Sequence, residues 1–113
     1  MNYSEKIDIL EEYIRNNFNF EVNRYTSLPS DISGRTFYKE KLIALNCSNS
    51  QEALFTLLHE AGHVYSYIKY YGKLKQPQPK IEKREQYAYL YGYGISKLLK
   101  LGISKEKWRK NNA

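Results

Sequence analysis

Two histidines occur in the chain, His59 and His63, and they stand four residues apart in the stretch His59-Glu60-Ala61-Gly62-His63. Side chains at i and i+4 lie one above the other on a helix. Both imidazoles can therefore reach one divalent cation at roughly 2.0–2.1 Å. Glu60 is turned about 100° from His59 around the helix axis, beside such an ion rather than on it. Two neutral nitrogens and a third protein ligand leave a zinc ion (Zn2+) one position for water, whose pKa then falls towards about 7. A neighbouring carboxylate can take a proton from that water and pass it to a leaving amine, which is the role open to Glu60. The competing reading is a pair of half-buried histidines and a surface acid on an ordinary amphipathic helix.

A mononuclear site of this kind needs a third ligand. No further histidine is present, which excludes a pattern with three histidines, and a lone small thiol such as Cys47 is expected in the core. The downstream acids are Glu82, Glu85 and Glu106. On a helical projection Glu85 lies within about 60° of a stripe formed by Ala88, Gly92, Ile95 and Leu99. Glu82 falls about 100° from its middle, beside Gln86, Tyr89 and Tyr93. A carboxylate on a packing face is costly unless paired, and a metal would pair it. Glu85 is thus favoured as the ligand, with Glu82 the alternative and a surface pairing of Glu85 with Lys or Arg the competing explanation. Ala61-Gly62 and Ala88 with Gly92 give both helices small faces, as close contact there would require.

The elements that must position these groups follow from patterning. Ser4 to Asn17 reads as an amphipathic helix with Ile7, Leu10, Ile14 and Phe18 at helical spacing, Ser4 as its cap and Asn16-Asn17 as its end. Phe18, Phe20, Val22 and Tyr25 alternate with polar residues as in a strand. Leu28 to Gly34 is a turn-rich connector. Two short strands are expected around Thr36–Lys39 and Lys41–Asn46, joined by a tight turn near Glu40. The histidine helix starts with capping-box patterns, Ser48 with Gln51 or Asn49 with Glu52. Its expected buried stripe is Leu54, Leu58, Ala61, Tyr65 and Ile68, and Gly72 stops it. Pro77 and Pro79 mark a loop. Ile81 to Leu101 returns to helix up to Gly102, and Ser104 caps a last short turn carrying Trp108. The expected fold class is α+β: three main helices and a short antiparallel sheet of two to three strands between the first and second helices, all in one domain spanning residues 1–113.

Composition bounds the classes of function. With 42% apolar and 27% charged residues the chain has the make-up of a folded domain. A single cysteine permits no intrachain disulfide, and no leader pattern or apolar run of about 18 residues is present, so a cytoplasmic protein is expected. The net charge is +6, densest at Lys97, Lys100, Lys105, Lys107, Arg109 and Lys110. That cluster reads first as a solvated surface and second as a contact for an acidic partner or nucleic acid.

The motif and its surroundings resemble the ImmA/IrrE family of zinc metallo-endopeptidases, which carry H-E-x-x-H and a Glu-x-x-Ala type segment supplying the third ligand. Here those are "HEAGH" and Glu85-Gln86-Tyr87-Ala88. "LIALNCSNSQEALFTLLHEAGH" is similar to the family's strand, polar link and active-site helix, and "REQYAYLYGYGISKLLKLGIS" to compact members from phage and mobile elements. The resemblance spans Phe37 to Leu101. It implies a small zincin-like domain in which His59, His63 and Glu85 hold zinc and Glu60 is the general base. It also implies that the strand ending at Asn46 lies along the cleft and pairs with an extended substrate. Larger relatives cleave repressor-type regulators, often beside a helix-turn-helix domain for which this chain has no room. The expected partner is a protein substrate; the alternative is a zincin-fold regulatory protein, of phage type, that binds a host factor without cutting it. Peptide hydrolysis also needs an oxyanion stabiliser, for which Tyr65, Tyr67, Tyr87, Tyr89 and Tyr91 are the candidates, each also explained by packing.

Overall fold

The structure is a computed structural model that describes all residues except 25–27, 47–49, 73–79 and 113, and the side chain of Tyr71. Tyr25, Cys47, the caps at Ser48 and Asn49, and the loop prolines Pro77 and Pro79 lie outside the described residues. Among the described residues the fold is α+β, with four helices and a three-stranded sheet. In chain order these are α1 (Tyr3–Phe18), β1 (Glu21–Asn23), β2 (Gly34–Phe37), β3 (Leu42–Leu45), α2 (Ser50–Ser66), α3 (Ile81–Leu98) and α4 (Lys105–Asn111). A π-helical turn, Tyr67–Tyr71, extends α2.

Helix α1 forms where its apolar period requires, with Ile7, Leu10 and Ile14 buried. Its cap is Asn2, not Ser4: the Asn2 side chain accepts from the Glu5 N–H at 2.8 Å, and Ser4 falls in the first turn. The helix also runs past Asn16-Asn17 to Phe18, ending at Asn19, which takes the left-handed conformation (φ 58°). Asn reaches that region readily because its short side chain bonds locally. Arg24 then ties the chain after β1 back to α1 through Asp8 (2.6 Å) and Glu11 (2.5 Å).

The expected hairpin is present. β2 and β3 pair antiparallel, from Gly34 opposite Leu45 to Phe37 opposite Leu42. The sheet as a whole is mixed rather than antiparallel, because β1 pairs parallel to β3, with Val22 opposite Ile43. The strand order is β1-β3-β2. β3 is therefore central, with both edges occupied, and cannot offer its edge to a substrate as the resemblance implied. Among the described residues the strand beside α2 with an open edge is β2.

Helix α2 is the centre of the molecule, with Leu54, Leu57, Leu58, Ala61 and Val64 fully buried. Ile68, expected on the buried stripe, is 37% exposed because the π-helical turn changes the period beyond Ser66. α3 stops three residues short of the expected end. Leu101 N–H donates to Ser96 O and Lys100 N–H to Lys97 O, a Schellman closure with Lys100 at φ 55°. Ser104 caps α4 as expected, accepting from the Lys107 N–H at 3.1 Å, and Trp108 is fully buried against Phe55 and Tyr89.

The small faces do bring α2 and α3 together. A Cβ on Gly62 would sit 2.3 Å from the Ala88 carbonyl oxygen, and one on Gly92 would sit 2.7 Å from the Leu58 carbonyl oxygen. Neither helix has room for a methyl group at the crossing. Replacing Gly62 by Ala gains helix propensity yet forces the backbones apart, so Gly62→Ala is expected to destabilise the chain by about 1–3 kcal/mol in chemical denaturation.

Candidate metal centre

His59 and His63 project from the same side of α2, their rings edge to face with centroids 4.8 Å apart. Glu85, in the second turn of α3, lies between them: Oε2 is 2.8 Å from His59 Nε2 and Oε1 is 3.2 Å from His63 Nε2. The three ligand atoms lie within 4.8 Å of one another. Among the described residues this is the one group of histidine, cysteine and acidic side chains close enough to share a cation. Glu82 has an exposed side chain on another face of α3 and takes no part. The close crossing explains the convergence: Ala88 sits against Gly62, and Glu85 is one turn before Ala88 on the same side.

The hydrogen bonds around His59 bear on what the group can hold. Asn112, at the C-terminal end of α4, donates through Nδ2 to the Trp108 carbonyl at 3.0 Å, which directs its Oδ1 to His59 Nδ1 at 3.0 Å. An amide oxygen can only accept, so Nδ1 donates to it and carries the proton of a neutral ring. His59 Nε2 then presents a lone pair to a carboxylate oxygen at 2.8 Å. Two acceptors at that distance repel unless a second proton or a cation stands between them. At His63, burial foremost, then His59 and Arg84, lowers the pKa despite Glu85. Two imidazole nitrogens and one carboxylate are a donor set suited to zinc. The side chains present fit such an ion.

Glu60 follows the first histidine and points to the sheet. Thr36 Oγ1, on β2, donates to Glu60 Oε2 at 2.8 Å. Burial pushes the Glu60 carboxyl above its ordinary pKa, opposed by the Thr36 hydrogen bond, by His59 and by Arg35, while Glu85 adds to the rise. A buried carboxylate held at one oxygen keeps the other available to a proton donor.

The cluster stands in a groove between β2 and α3. On the His59 side is a hollow of about 450 Å³ whose own walls include Asp31, Ser33, Phe55, Asn111 and Asn112. On the His63 side is one of about 440 Å³ with Arg35, Thr36, Tyr38, Ile81 and Arg84. Ile32, Gly34, Glu60 and Glu85 belong to both. None of the five tyrosines considered for an oxyanion role lines either hollow. Tyr67 stacks on Tyr38, Tyr87 on Tyr70, Tyr65 lies against Phe18 and Tyr91, and Tyr89 lies against Trp108. Sequence patterning gave no indication of Thr36 or Asn112, which are 24 and 53 residues from the groups they hold.

No family model matches this chain, and neither does any curated protein or solved structure with which it was compared. Among the described residues no helix is long and apolar enough to cross a membrane.

Metal analysis after zinc loading is expected to give about one ion per chain for the wild type and none held stoichiometrically by His63→Ala or Glu85→Ala. Asn112→Leu removes the acceptor that orients His59 without removing a ligand. It is expected to weaken zinc about 10–100-fold in competition with a chromophoric chelator.

Proposed function

We propose that the chain is a zinc-dependent endopeptidase of narrow specificity, zincin-like and of ImmA/IrrE type. The observation that carries this reading is the convergence of His59, His63 and Glu85 with the His59 tautomer fixed by Asn112. Zinc bound there would polarise a peptide carbonyl and acidify a water. The chain's own residues supply the rest. Glu60, beside the ligands and held by Thr36, accepts a proton and returns it to the leaving amine. β2, the edge strand that helps line both hollows, receives an extended substrate by adding a strand to the sheet. A repressor-type regulatory protein in the cytoplasm is the substrate and setting that the resemblance suggests.

A second reading, a regulatory protein that binds without cutting, draws support from a surface away from the groove. Lys69 lies over the rings of Tyr65, Tyr70 and Tyr91 at 5.3–5.6 Å, and Leu90 and Leu98 on α3 are more than half exposed. Glu60→Gln separates the two. On the endopeptidase reading this variant keeps its zinc and loses cleavage of peptide libraries by about 100-fold or more, the scale of a general base. Zinc retained with undiminished biological effect would instead favour the binding protein.

A further inference from the structure

The side of α3 turned away from the metal groove is apolar and basic. Gly94 follows Glu85 by nine residues, which turns it about 180° from Glu85 around the helix axis. Leu90 and Leu98 share this side and are 60% and 63% exposed. Beside them is a hollow of about 280 Å³, lined by Tyr13 of α1, Tyr65 of α2 and Tyr91, Gly94, Ile95 and Leu98 of α3. A Cβ added to Gly94 would meet no described atom within 4 Å beyond its own stretch of helix. Glycine weakens a helix relative to alanine, and at Gly62 and Gly92 the crossing of α2 and α3 requires it. At Gly94 nothing among the described residues does. The surface over it is open, so another helix can come as close there as α2 does on the opposite side.

The charges bordering this face are of one sign. Lys69 Nζ sits 5.3–5.6 Å from the ring centroids of Tyr65, Tyr70 and Tyr91, Lys83 Nζ 5.9 Å from that of Tyr87 and Lys97 Nζ 5.7 Å from that of Tyr93. Among the described residues none of these three lysines is in an ion pair with a carboxylate. The acids of α3, Glu82 and Glu85, are turned about 100° and 160° from Lys83. On α1, Glu12 precedes Tyr13 and is exposed, but it is not one of the hollow's walls. An apolar strip bordered by lysines suits a helix with its own apolar stripe and acidic residues beside it. An extended strand finds no edge here, because the face is built from helices whose backbone groups bond internally. A second copy in a two-fold pair would set this lysine-bearing face against itself.

We propose that the Gly94 face of α3 docks an acidic amphipathic helix of another protein. Its apolar stripe crosses Gly94 between Leu90 and Leu98, and its carboxylates meet Lys69 and Lys97. This face lies across α3 from the metal ligands, so docking does not depend on what the metal centre does, and its loss leaves zinc binding intact.

The test is fluorescence anisotropy with two labelled peptides of about 18 residues, long enough to hold a helix. Both carry leucine at helical spacing; one has glutamate on the flanks of that stripe and the other has lysine. The glutamate peptide is expected to bind the full chain about 10-fold more tightly than the lysine peptide, and less tightly as salt rises. Gly94→Gln introduces a good helix former into open space, so thermal melting should hold or rise while binding of the glutamate peptide falls about 10-fold. Leu98→Gln, at an exposed side chain, should weaken it likewise. Lys69→Gln with Lys97→Gln should bring the two peptides towards equal affinity. Zinc stoichiometry should be the same in every variant. A glutamate peptide that does not bind, or that binds unchanged to both Gly94→Gln and Leu98→Gln, overturns the docking site. Binding to phosphatidylserine vesicles in place of the peptide overturns it in favour of a membrane contact. A dimer in sedimentation that Gly94→Gln dissolves overturns it in favour of a contact between copies.

Discussion

The closeness of α2 and α3 governs the molecule. At Gly62 and Gly92 each backbone lies against a carbonyl of the other helix, with no space for one added carbon. Glycine inside a helix costs about 1 kcal/mol relative to alanine, and here the return is a crossing tight enough for side chains of ordinary length to meet at one point. His59 and His63 leave α2 a turn apart, and Glu85 leaves α3 between them. A wider crossing, as larger residues would give, would leave the glutamate short of one or both rings.

Convergence alone does not make a ligand set, because an imidazole can face a carboxylate simply as a hydrogen-bond donor. The return of the chain after α3 settles which nitrogen of His59 donates. Trp108, buried against Phe55, anchors α4, and the Trp108 carbonyl turns the Asn112 amide so that its oxygen meets Nδ1. The last turn of the chain thereby fixes the tautomer of a residue 53 positions earlier. Thr36 does comparable work for Glu60 from the sheet, opposing the rise in pKa that burial causes.

The mixed sheet decides which backbone borders the groove. Because β1 joins β3 in parallel, β3 is enclosed and β2 is left at the edge beside α2. Its residues contribute both the support of Glu60 and a wall of the two hollows.

Much of this was legible in the residues themselves. The spacing of His59 and His63, the period of α1, the hairpin of β2 and β3, the cap at Ser104 and the placement of Glu85 on the side of α3 that meets α2 all follow from local rules of helix and strand periodicity. Those rules act within a few residues, so they locate a side chain on an element and say which way it faces. The mixed pairing of the sheet, the exposed Ile68, the early end of α3 and the partners Thr36 and Asn112 were not accessible that way. Each depends on which elements come to lie side by side. The sequence alone determined that two imidazoles and a carboxylate could serve one ion. Only the tertiary structure decided how their protons are placed and which strand borders them, because hydrogen-bond partners far apart in the chain are chosen by packing, whose requirements no local period records.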